Sequence, residues 1–136
     1  MKLTTRIVAL GALVAGAFSL TTVPASAEIQ PQGDSGVTHA AGGYERCPAG
    51  YLCIFEWRDG TGPMAYFKSG SPDLRQQGMN DSVSSIWNRT DCFWSLYEGL
   101  NYTGWRIHYL PNDQFSWPGW QDGYEDNMSS LRLELC

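Results

Sequence analysis

The sequence predicts an all-β domain built from two copies of one short unit. Strand-length stretches alternate apolar and polar residues, most clearly at 131–135 (Leu-Arg-Leu-Glu-Leu), which is the period-two pattern of a half-buried strand. Turn-forming pairs such as Asp59-Gly60 and Pro118-Gly119 interrupt the chain about every ten residues, as in proteins of many short strands. The i, i+3, i+4 spacing of an amphipathic helix is absent from any window of useful length.

The evidence for two copies is a pair of sequence signals that recur in the same order. The stretch 55–62 (Phe-Glu-Trp-Arg-Asp-Gly-Thr-Gly) recurs 42 residues later at 97–104 (Tyr-Glu-Gly-Leu-Asn-Tyr-Thr-Gly). The stretch 80–85 (Asn-Asp-Ser-Val-Ser-Ser) recurs 45 residues later at 125–130 (Glu-Asp-Asn-Met-Ser-Ser). Two signals at nearly the same offset indicate the duplication of one ancestral unit.

The first residues have the features of a secretory signal peptide. Lys2 and Arg6 give a basic start, an apolar run covers residues 7–20, and residues 25–27 (Ala-Ser-Ala) form a small-residue cleavage site. The apolar run is too short to cross a bilayer core of roughly 30 Å. We therefore assign residues 1–27 to a signal peptide and expect a secreted, extracellular protein.

The remaining chain divides into a leader and one domain. Residues 28–46 are rich in Gly, Pro and small side chains and show no apolar period, which predicts a flexible leader or a trimmed propeptide. Residues 47–136 form the domain, with repeat one over about 51–89 and repeat two over about 92–136. A domain of this length builds only a modest core, and small secreted domains usually compensate with disulfides.

The charge of the chain excludes one class of partner. The full chain carries 9 Lys and Arg against 14 Asp and Glu, a net charge of −5, and loss of the signal peptide makes it −7. An acidic chain without a basic cluster does not fit nucleic-acid binding. It fits solubility outside the cell and the attraction of cations. We expect a monomer that binds neither nucleic acid nor membranes.

All four cysteines, Cys47, Cys53, Cys92 and Cys136, lie in the domain. Four cysteines allow three pairings. We favour Cys47–Cys53, which closes a short loop over turn-forming residues, together with Cys92–Cys136, which ties the first strand of repeat two to the last residue. A zinc site would need a dense Cys/His cluster, which these spacings do not supply.

The hairpin motif of repeat two has a physical logic. Tyr97 and Tyr102 can stack across a hairpin that folds back over its sheet. Gly104 then takes a backbone conformation that a side chain disfavours. Repeat one has Gly60 at the position of the second ring, and Trp57 is the candidate that supplies the missing ring.

These motifs resemble those of the βγ-crystallins, in which Tyr-x-x-x-x-Tyr-x-Gly is followed by an Asn/Asp-Asn/Asp-x-x-Ser-Ser loop. The stretches 47–55 (Cys-Pro-Ala-Gly-Tyr-Leu-Cys-Ile-Phe) and 85–90 (Ser-Ile-Trp-Asn-Arg-Thr) are similar to the secreted actinomycete peptidase inhibitors of that superfamily, typified by the Streptomyces metalloproteinase inhibitor. The resemblance covers residues 47–136. It implies two Greek-key motifs that form one βγ-crystallin-like β-sandwich, stapled by two disulfides.

The resemblance also implies calcium sites. The two loops at 80–85 and 125–130, which we call the Ser-rich loops, offer the oxygen ligands that a hard cation prefers. In calcium-binding crystallins the loop of one repeat combines with a carbonyl from the hairpin of the partner repeat. Site one would then use Ser82, Ser84 and Glu98, and site two would use Asn127, Ser129 and Glu56. Site two departs from the family pattern because Glu125 stands where Asn or Asp is usual. The alternative is that the loops only cap turns through Asx and Ser hydrogen bonds, with no cofactor required.

The function that the resemblance implies is non-covalent inhibition of a secreted metallopeptidase by a loop that blocks its cleft. A rigid β-domain lowers the entropic penalty of such binding. The typical member carries its reactive bond in a second short disulfide loop, which this chain lacks, so no reactive bond is assigned. The candidate partner surface is Phe115, Trp117 and Trp120 in the connection between the second and third strands of repeat two. The alternative is that Trp117 and Trp120 cover the core.

Catalysis is not expected. His39 lies in the leader, His108 lies on the polar face of a strand, and the chain has no G-x-S-x-G or H-E-x-x-H motif.

Two other functions use the same fold, a calcium-binding structural or stress module and an antimicrobial or killer-toxin-like protein. The fold alone does not decide among these.

Overall fold

The structure is a computed structural model that describes residues 31, 33–119 and 123–136. The strands are β1 Ser35–Thr38, β2 Leu52–Phe55, β3 Met64–Phe67, β4 Gly70–Ser71, β5 Ser85–Asn88, β6 Phe93–Tyr97, β7 Arg106–Tyr109, β8 Gln114–Ser116 and β9 Ser130–Leu135. Short 3₁₀ helices cover Tyr44–Arg46, Arg58–Gly60, Leu74–Gln77 and Leu100–Tyr102. The all-β prediction is confirmed. Within these ranges no helix has the length and apolar character needed to cross a membrane.

Two antiparallel sheets form a sandwich in which the repeats interlock. The five-stranded sheet has the order β1-β3-β2-β5-β8, and the four-stranded sheet has the order β4-β9-β6-β7. Strand β4 of repeat one pairs with β9 of repeat two, and β8 of repeat two pairs with β5 of repeat one. Each repeat therefore lends its third strand to the sheet of the other, and the predicted pair of Greek keys in one sandwich is confirmed.

The predicted flexible leader over 28–46 is wrong for the part that the structure describes. Strand β1 pairs with β3 from Ser35↔Phe67 to Thr38↔Met64, and Arg46 is buried in the helix at Tyr44–Arg46. The segment joins the sheet through main-chain hydrogen bonds to an open edge, which require no apolar period in the sequence. The predicted signal peptide and residues 28–30 lie outside the described residues.

The hydrophobic core has two parts, because the five-stranded sheet is covered on both faces. The main core lies between the sheets and includes Ile54, Leu96 and Trp94, all fully buried. A second cluster, built around Phe55 and Tyr66, lies between the outer face and the N-terminal segment. This double burial explains why β2 and β3 are buried at every position, whereas β9 is buried only at Ser130 and Leu131.

The two predicted disulfides are confirmed. Cys47–Cys53 lies in the second cluster, with its Cα atoms 5.8 Å apart. Cys92–Cys136 joins the residue before β6 to the last residue of the chain, with Cα atoms 4.0 Å apart. The first disulfide fixes the N-terminal segment, and the second closes repeat two.

The duplication is visible in the hydrogen bonds that hold each hairpin. Ser85 Oγ accepts from the Gly60 amide at 2.9 Å and donates to the Trp57 carbonyl at 2.6 Å. Ser130 Oγ makes the equivalent two bonds in repeat two, at 3.0 and 2.6 Å. Both serines are fully buried. The last serine of each Ser-Ser motif therefore anchors the hairpin of its own repeat.

The hairpin of repeat two brings the two predicted rings together, although they are not stacked. The rings of Tyr97 and Tyr102 lie edge to face, with centroids 5.9 Å apart. Gly104 has φ +79°, in the left-handed region that favours glycine.

In repeat one, the ring that contacts Phe55 is not the one predicted. The ring of Tyr44, from the N-terminal segment, lies edge to face on Phe55 at 5.3 Å. Trp57 lies over Gly62 instead and is 59% exposed. The expectation that Trp57 supplies the ring is therefore wrong, because Tyr44, which lies outside the repeat, occupies the space beside Phe55 and Gly60.

Candidate functional site

A cavity of about 640 Å³ lies between the hairpin of repeat one and the two Ser-rich loops. We call it the acidic cavity, because its charged lining residues are five carboxylates and one guanidinium, those of Glu56, Asp59, Asp81, Glu125, Asp126 and Arg58. Loop residues Ser82 and Ser84 complete its polar wall. A cavity lined mostly by one sign of charge attracts cations.

Main-chain pairing decides which hairpin each loop meets. The Ser84 amide donates to the Phe55 carbonyl at 3.0 Å, and the Ser129 amide donates to the Tyr97 carbonyl at 2.9 Å. Because the fourth strand of each repeat pairs with its first strand, the loop before the fourth strand lies against the hairpin of its own repeat.

The predicted calcium-ligand sets are therefore regrouped. The expected sets were Ser82, Ser84 with Glu98, and Asn127, Ser129 with Glu56. The acidic cavity instead brings Ser82 and Ser84 together with Glu56. Ser129 lies beside the hairpin that carries Glu98. The expected crossing of hairpins is wrong, because the strands that cross between the sheets are the third strands only.

What the partner repeat does contribute is a carboxylate. Ser84 Oγ donates to Asp126 Oδ1 at 3.1 Å, and Ser129 Oγ donates to Asp81 Oδ1 at 3.4 Å. Asp81 and Asp126 have φ of 51° and 57°, a left-handed conformation that Asp tolerates better than most residues. The calcium ligands predicted from the sequence do not include these aspartates, although both occupy the second position of the repeated loop motif.

The oxygen atoms of the acidic cavity suit a hard cation in part. Ser82 Oγ is buried and has no hydrogen-bond partner among the described residues, so it is free to act as a ligand. Glu125 is held by Arg58, whose Nε and second guanidinium nitrogen lie 3.0 and 3.1 Å from its carboxylate oxygens. The positive charge of the Arg58 guanidinium, which also lines the acidic cavity, would repel a bound cation. In the described ranges no group of three or more His, Cys, Asp or Glu side chains is placed to hold a metal.

The predicted aromatic partner surface is divided by the structure. Trp117 is 2% exposed and belongs to the main core, as the alternative interpretation held. Phe115 is 39% exposed, and its ring lies edge to face on Trp117 at 5.1 Å. Residues 114–116 form the edge strand β8 rather than a connection. Trp120 lies outside the described residues.

Other exposed aromatic rings lie on the hairpins. Trp57 is 59% exposed on the hairpin of repeat one. Trp105 follows the hairpin of repeat two and stacks on Tyr124 with ring centroids 4.0 Å apart. Large exposed aromatic side chains of this kind are typical anchors of protein interfaces.

A Ser–His pair on the four-stranded sheet is not a nucleophilic site. Ser95 Oγ and His108 Nδ1 are 2.8 Å apart, but Ser95 is fully buried and out of reach of a substrate. Beside them, a hydrogen bond from Tyr97 and the ion pair with Arg132 lower the pKa of Glu134 to about 2. This network of paired groups stabilises the sheet face.

Comparison with known proteins gives a family match and a set of structural neighbours. The model of peptidase inhibitor family I36 matches residues 40–110, just over half of the chain. No curated protein matches the chain.

Among solved structures, one described under the evolution of the eye lens βγ-crystallin domain fold has a TM-score of 0.61 and 20% identity, covering 74% of this chain and 98% of its own. A βγ-crystallin from Ciona intestinalis has a TM-score of 0.54 and 26% identity, covering 62% of this chain and 100% of its own. A βγ-crystallin from an archaeon has a TM-score of 0.53 and 24% identity, covering 64% and 100%. The fold is therefore that of a βγ-crystallin domain.

Proposed function

The chain belongs to peptidase inhibitor family I36, and we propose that it is a secreted inhibitor that occludes the substrate cleft of a metallopeptidase without covalent chemistry. The family match is the observation that supports this proposal most strongly, and it agrees with the resemblance found in the sequence. The match begins before the first disulfide and extends through all of repeat one into repeat two. Inhibition of a peptidase follows from the family, and the metallopeptidase class follows from the resemblance to the Streptomyces metalloproteinase inhibitor.

The physical properties of the domain support inhibition by occlusion. Two disulfides and interlocked repeats make a rigid surface, and a rigid surface loses little conformational entropy on binding. The disulfides also fit the oxidising environment outside the cell, where secreted peptidases act. Ser95, the serine that is hydrogen-bonded to a histidine, is buried and so is not available for covalent trapping.

The proposal is tested with the mature protein, residues 28–136, against a panel of secreted metallopeptidases and serine peptidases. We expect submicromolar, reversible inhibition of a thermolysin-like metallopeptidase and none of the serine peptidases. Inhibition that is lost on dilution supports occlusion. Failure to inhibit any peptidase of the panel would contradict the proposal, and selective inhibition of a serine peptidase would contradict its metallopeptidase part.

We also propose that the acidic cavity binds calcium as a structural ion. The observation that favours this is the unpartnered Ser82 hydroxyl, which lines the cavity together with Ser84, Glu56 and Asp126. Hydroxyl and carboxylate oxygens of these residues, with the main-chain carbonyl of Glu56, are suitable calcium ligands. When bound, the ion would add a cross-link between the loops of the two repeats.

Calorimetric titration of the calcium-free protein tests this second proposal. We expect heat of binding and a calcium-dependent rise in melting temperature, since a ligand at a hundred times its dissociation constant stabilises by about 2.7 kcal/mol. Asp126→Asn should weaken binding, whereas Asp91→Asn, an exposed carboxylate that does not line the cavity, should not. No heat and no shift in melting temperature up to millimolar calcium would refute it.

A further inference from the structure

Two exposed loops lie side by side where β1 ends and where β2 turns into β3. The first loop covers residues 39–43, between β1 and the helix at Tyr44–Arg46, and the second covers residues 57–62 in the hairpin of repeat one. A largely apolar groove of about 480 Å³ separates them. It is lined by His39, Ala40, Ala41 and Gly42 of the first loop, by Trp57, Thr61 and Gly62 of the second, and by Pro63 directly after it. We call this surface the two-loop face.

One buried arginine holds both loops from beneath. Arg46 is 2% exposed. Its guanidinium donates to the carbonyls of Ala40 and Gly43 in the first loop, the latter at 3.1 Å. It also donates to the carbonyls of Gly60 and Gly62 in the second loop, both at 2.8 Å. A planar fork with five N–H donors can fix several carbonyls at once, so the two loops form one rigid unit.

The first loop presents its main chain to solvent. Residues 39–42 are exposed and, after His39, carry only small side chains. Both ends of the loop are fixed, because the Ala40 amide donates to Thr38 Oγ1 at 3.2 Å and the Gly43 amide donates to Glu45 Oε1 at 2.8 Å. Between these points, the main-chain groups of Ala41 and Gly42 have no hydrogen-bond partner in the described part of the chain. An added strand or a binding cleft recognises main-chain groups of this kind.

The second loop supplies an aromatic anchor. Trp57 is 59% exposed, yet its main chain is fixed at both ends. Its amide donates to the Thr61 carbonyl at 3.2 Å, and its carbonyl accepts from the buried Ser85 hydroxyl at 2.6 Å. A large aromatic ring on a rigid main chain contributes contact area at little entropic penalty, which is typical of interface hot spots.

We propose that the two-loop face is the part of this protein that enters the substrate cleft of the peptidase. In this arrangement Trp57 fills an apolar subsite, and the main-chain groups of Ala41 and Gly42 pair with the main chain that lines the cleft. The inference rests on the proposed function and names its binding surface. It replaces the aromatic segment around Trp117, because that side chain lies in the core.

The test compares inhibition constants of four variants against the peptidase that the wild-type protein inhibits. Trp57→Ala removes the anchor, and Ala41→Asp places a charge on the exposed first loop. Trp105→Ala is the matched control, since it removes an exposed tryptophan after the hairpin of repeat two. Phe115→Ala probes the competing surface on β8. Thermal unfolding of each variant checks that it is folded.

We expect Trp57→Ala and Ala41→Asp each to raise the inhibition constant at least about tenfold, equivalent to about 1.4 kcal/mol. Trp105→Ala and Phe115→Ala should leave it within about twofold. Ala41 is exposed, so Ala41→Asp keeps the test valid if Trp57→Ala unfolds.

The possible failures are distinguishable. If the wild-type protein inhibits a peptidase and both loop variants inhibit it as well as the wild type does, the proposed function stands. The assignment of the two-loop face as the binding surface is then wrong. A large loss with Phe115→Ala alone would assign the surface to β8. If the wild-type protein inhibits no peptidase, the proposed function fails and this assignment fails with it.

Discussion

Replacement of the buried Arg46 by methionine should destabilise the whole domain. Methionine keeps the length and apolar character of the side-chain stem and can still pack on Phe55, whose ring centroid lies 5.5 Å from the guanidinium carbon. It removes every donor that the guanidinium supplies to the two loops. Burial lowers the pKa of Arg46, but an arginine pKa starts so high that the side chain remains charged in the native protein.

The magnitude follows from the acceptors that are left behind. The Gly60 carbonyl, whose bond to Arg46 is 2.8 Å long and buried, loses that partner without access to water. An unsatisfied buried group costs about 1–3 kcal/mol, and each lost hydrogen bond to a charged group costs a comparable amount. Part of this is offset because methionine has no charge to desolvate. We expect a loss of about 3 kcal/mol, a large fraction of a typical stability of about 5–15 kcal/mol.

Denaturant unfolding followed by tryptophan fluorescence measures this change, with Arg75→Met as the matched control. Arg75 is also an arginine that pairs with a neighbour, Asp73 at 2.8 Å, but its side chain is 61% exposed, so its loss should be nearly silent. In a domain of this size, about 3 kcal/mol lowers the melting temperature by roughly 15 °C. A loss below about 1 kcal/mol, or one equal to that of the control, would show that Arg46 does not hold the loops.

Three further perturbations have defined outcomes. Ser85→Ala and Ser130→Ala should each lower the free energy of unfolding by about 1–3 kcal/mol and by similar amounts, because each serine makes the same two buried bonds; widely different losses in urea titrations would contradict the duplication. Glu134 has a pKa of about 2 in the folded protein against an ordinary 4.5, so its stabilisation is complete above pH 4.5 and is lost as the pH falls toward 2. Glu134→Gln should therefore flatten the melting-temperature profile in that window, and a profile parallel to wild type would refute this. Replacing both Cys92 and Cys136 by Ser opens a loop with a sequence separation of 44 and should remove about 4 kcal/mol, measured by calorimetry; a loss below about 1 kcal/mol would contradict it.

Features that depend on side-chain pattern could be predicted from the sequence. The alternation at 131–135 predicts β9, and the recurring motifs predict two equivalent hairpins. The cysteine positions allow the observed pairing to be chosen among three. For the strand and the hairpins the signal is local. Side chains on the buried face of a strand are apolar, and turn positions carry turn-forming residues.

Features that depend on main-chain hydrogen bonds or on non-local packing could not be predicted. Strand β1 has no apolar period because it lies on an open sheet edge, so the leader looked unstructured. Tyr44 occupies the space beside Phe55 from outside the repeat, which no internal comparison of repeats reveals. Arg46 lies in a Gly-rich stretch, and its burial depends on four carbonyls supplied by two separate loops.

The candidate calcium ligands show the same division. The loop residues Ser82 and Ser84 are recognisable from the motif, and both line the acidic cavity. The residues that lie beside these two serines depend on which strand of each repeat crosses to the other sheet, and the sequence motifs do not reveal this crossing. The structure therefore replaces Glu98 by Glu56 beside them and adds the carboxylate of Asp126 from the other repeat.

Native mass spectrometry of the protein mixed with any peptidase of the panel that it is found to inhibit tests cleft occlusion without relying on a variant. We expect a one-to-one complex that, on denaturation, releases the inhibitor chain intact and unmodified. A covalent adduct, a chain cut within residues 39–43 that no longer binds, or the absence of any complex would contradict inhibition by a rigid, two-loop face.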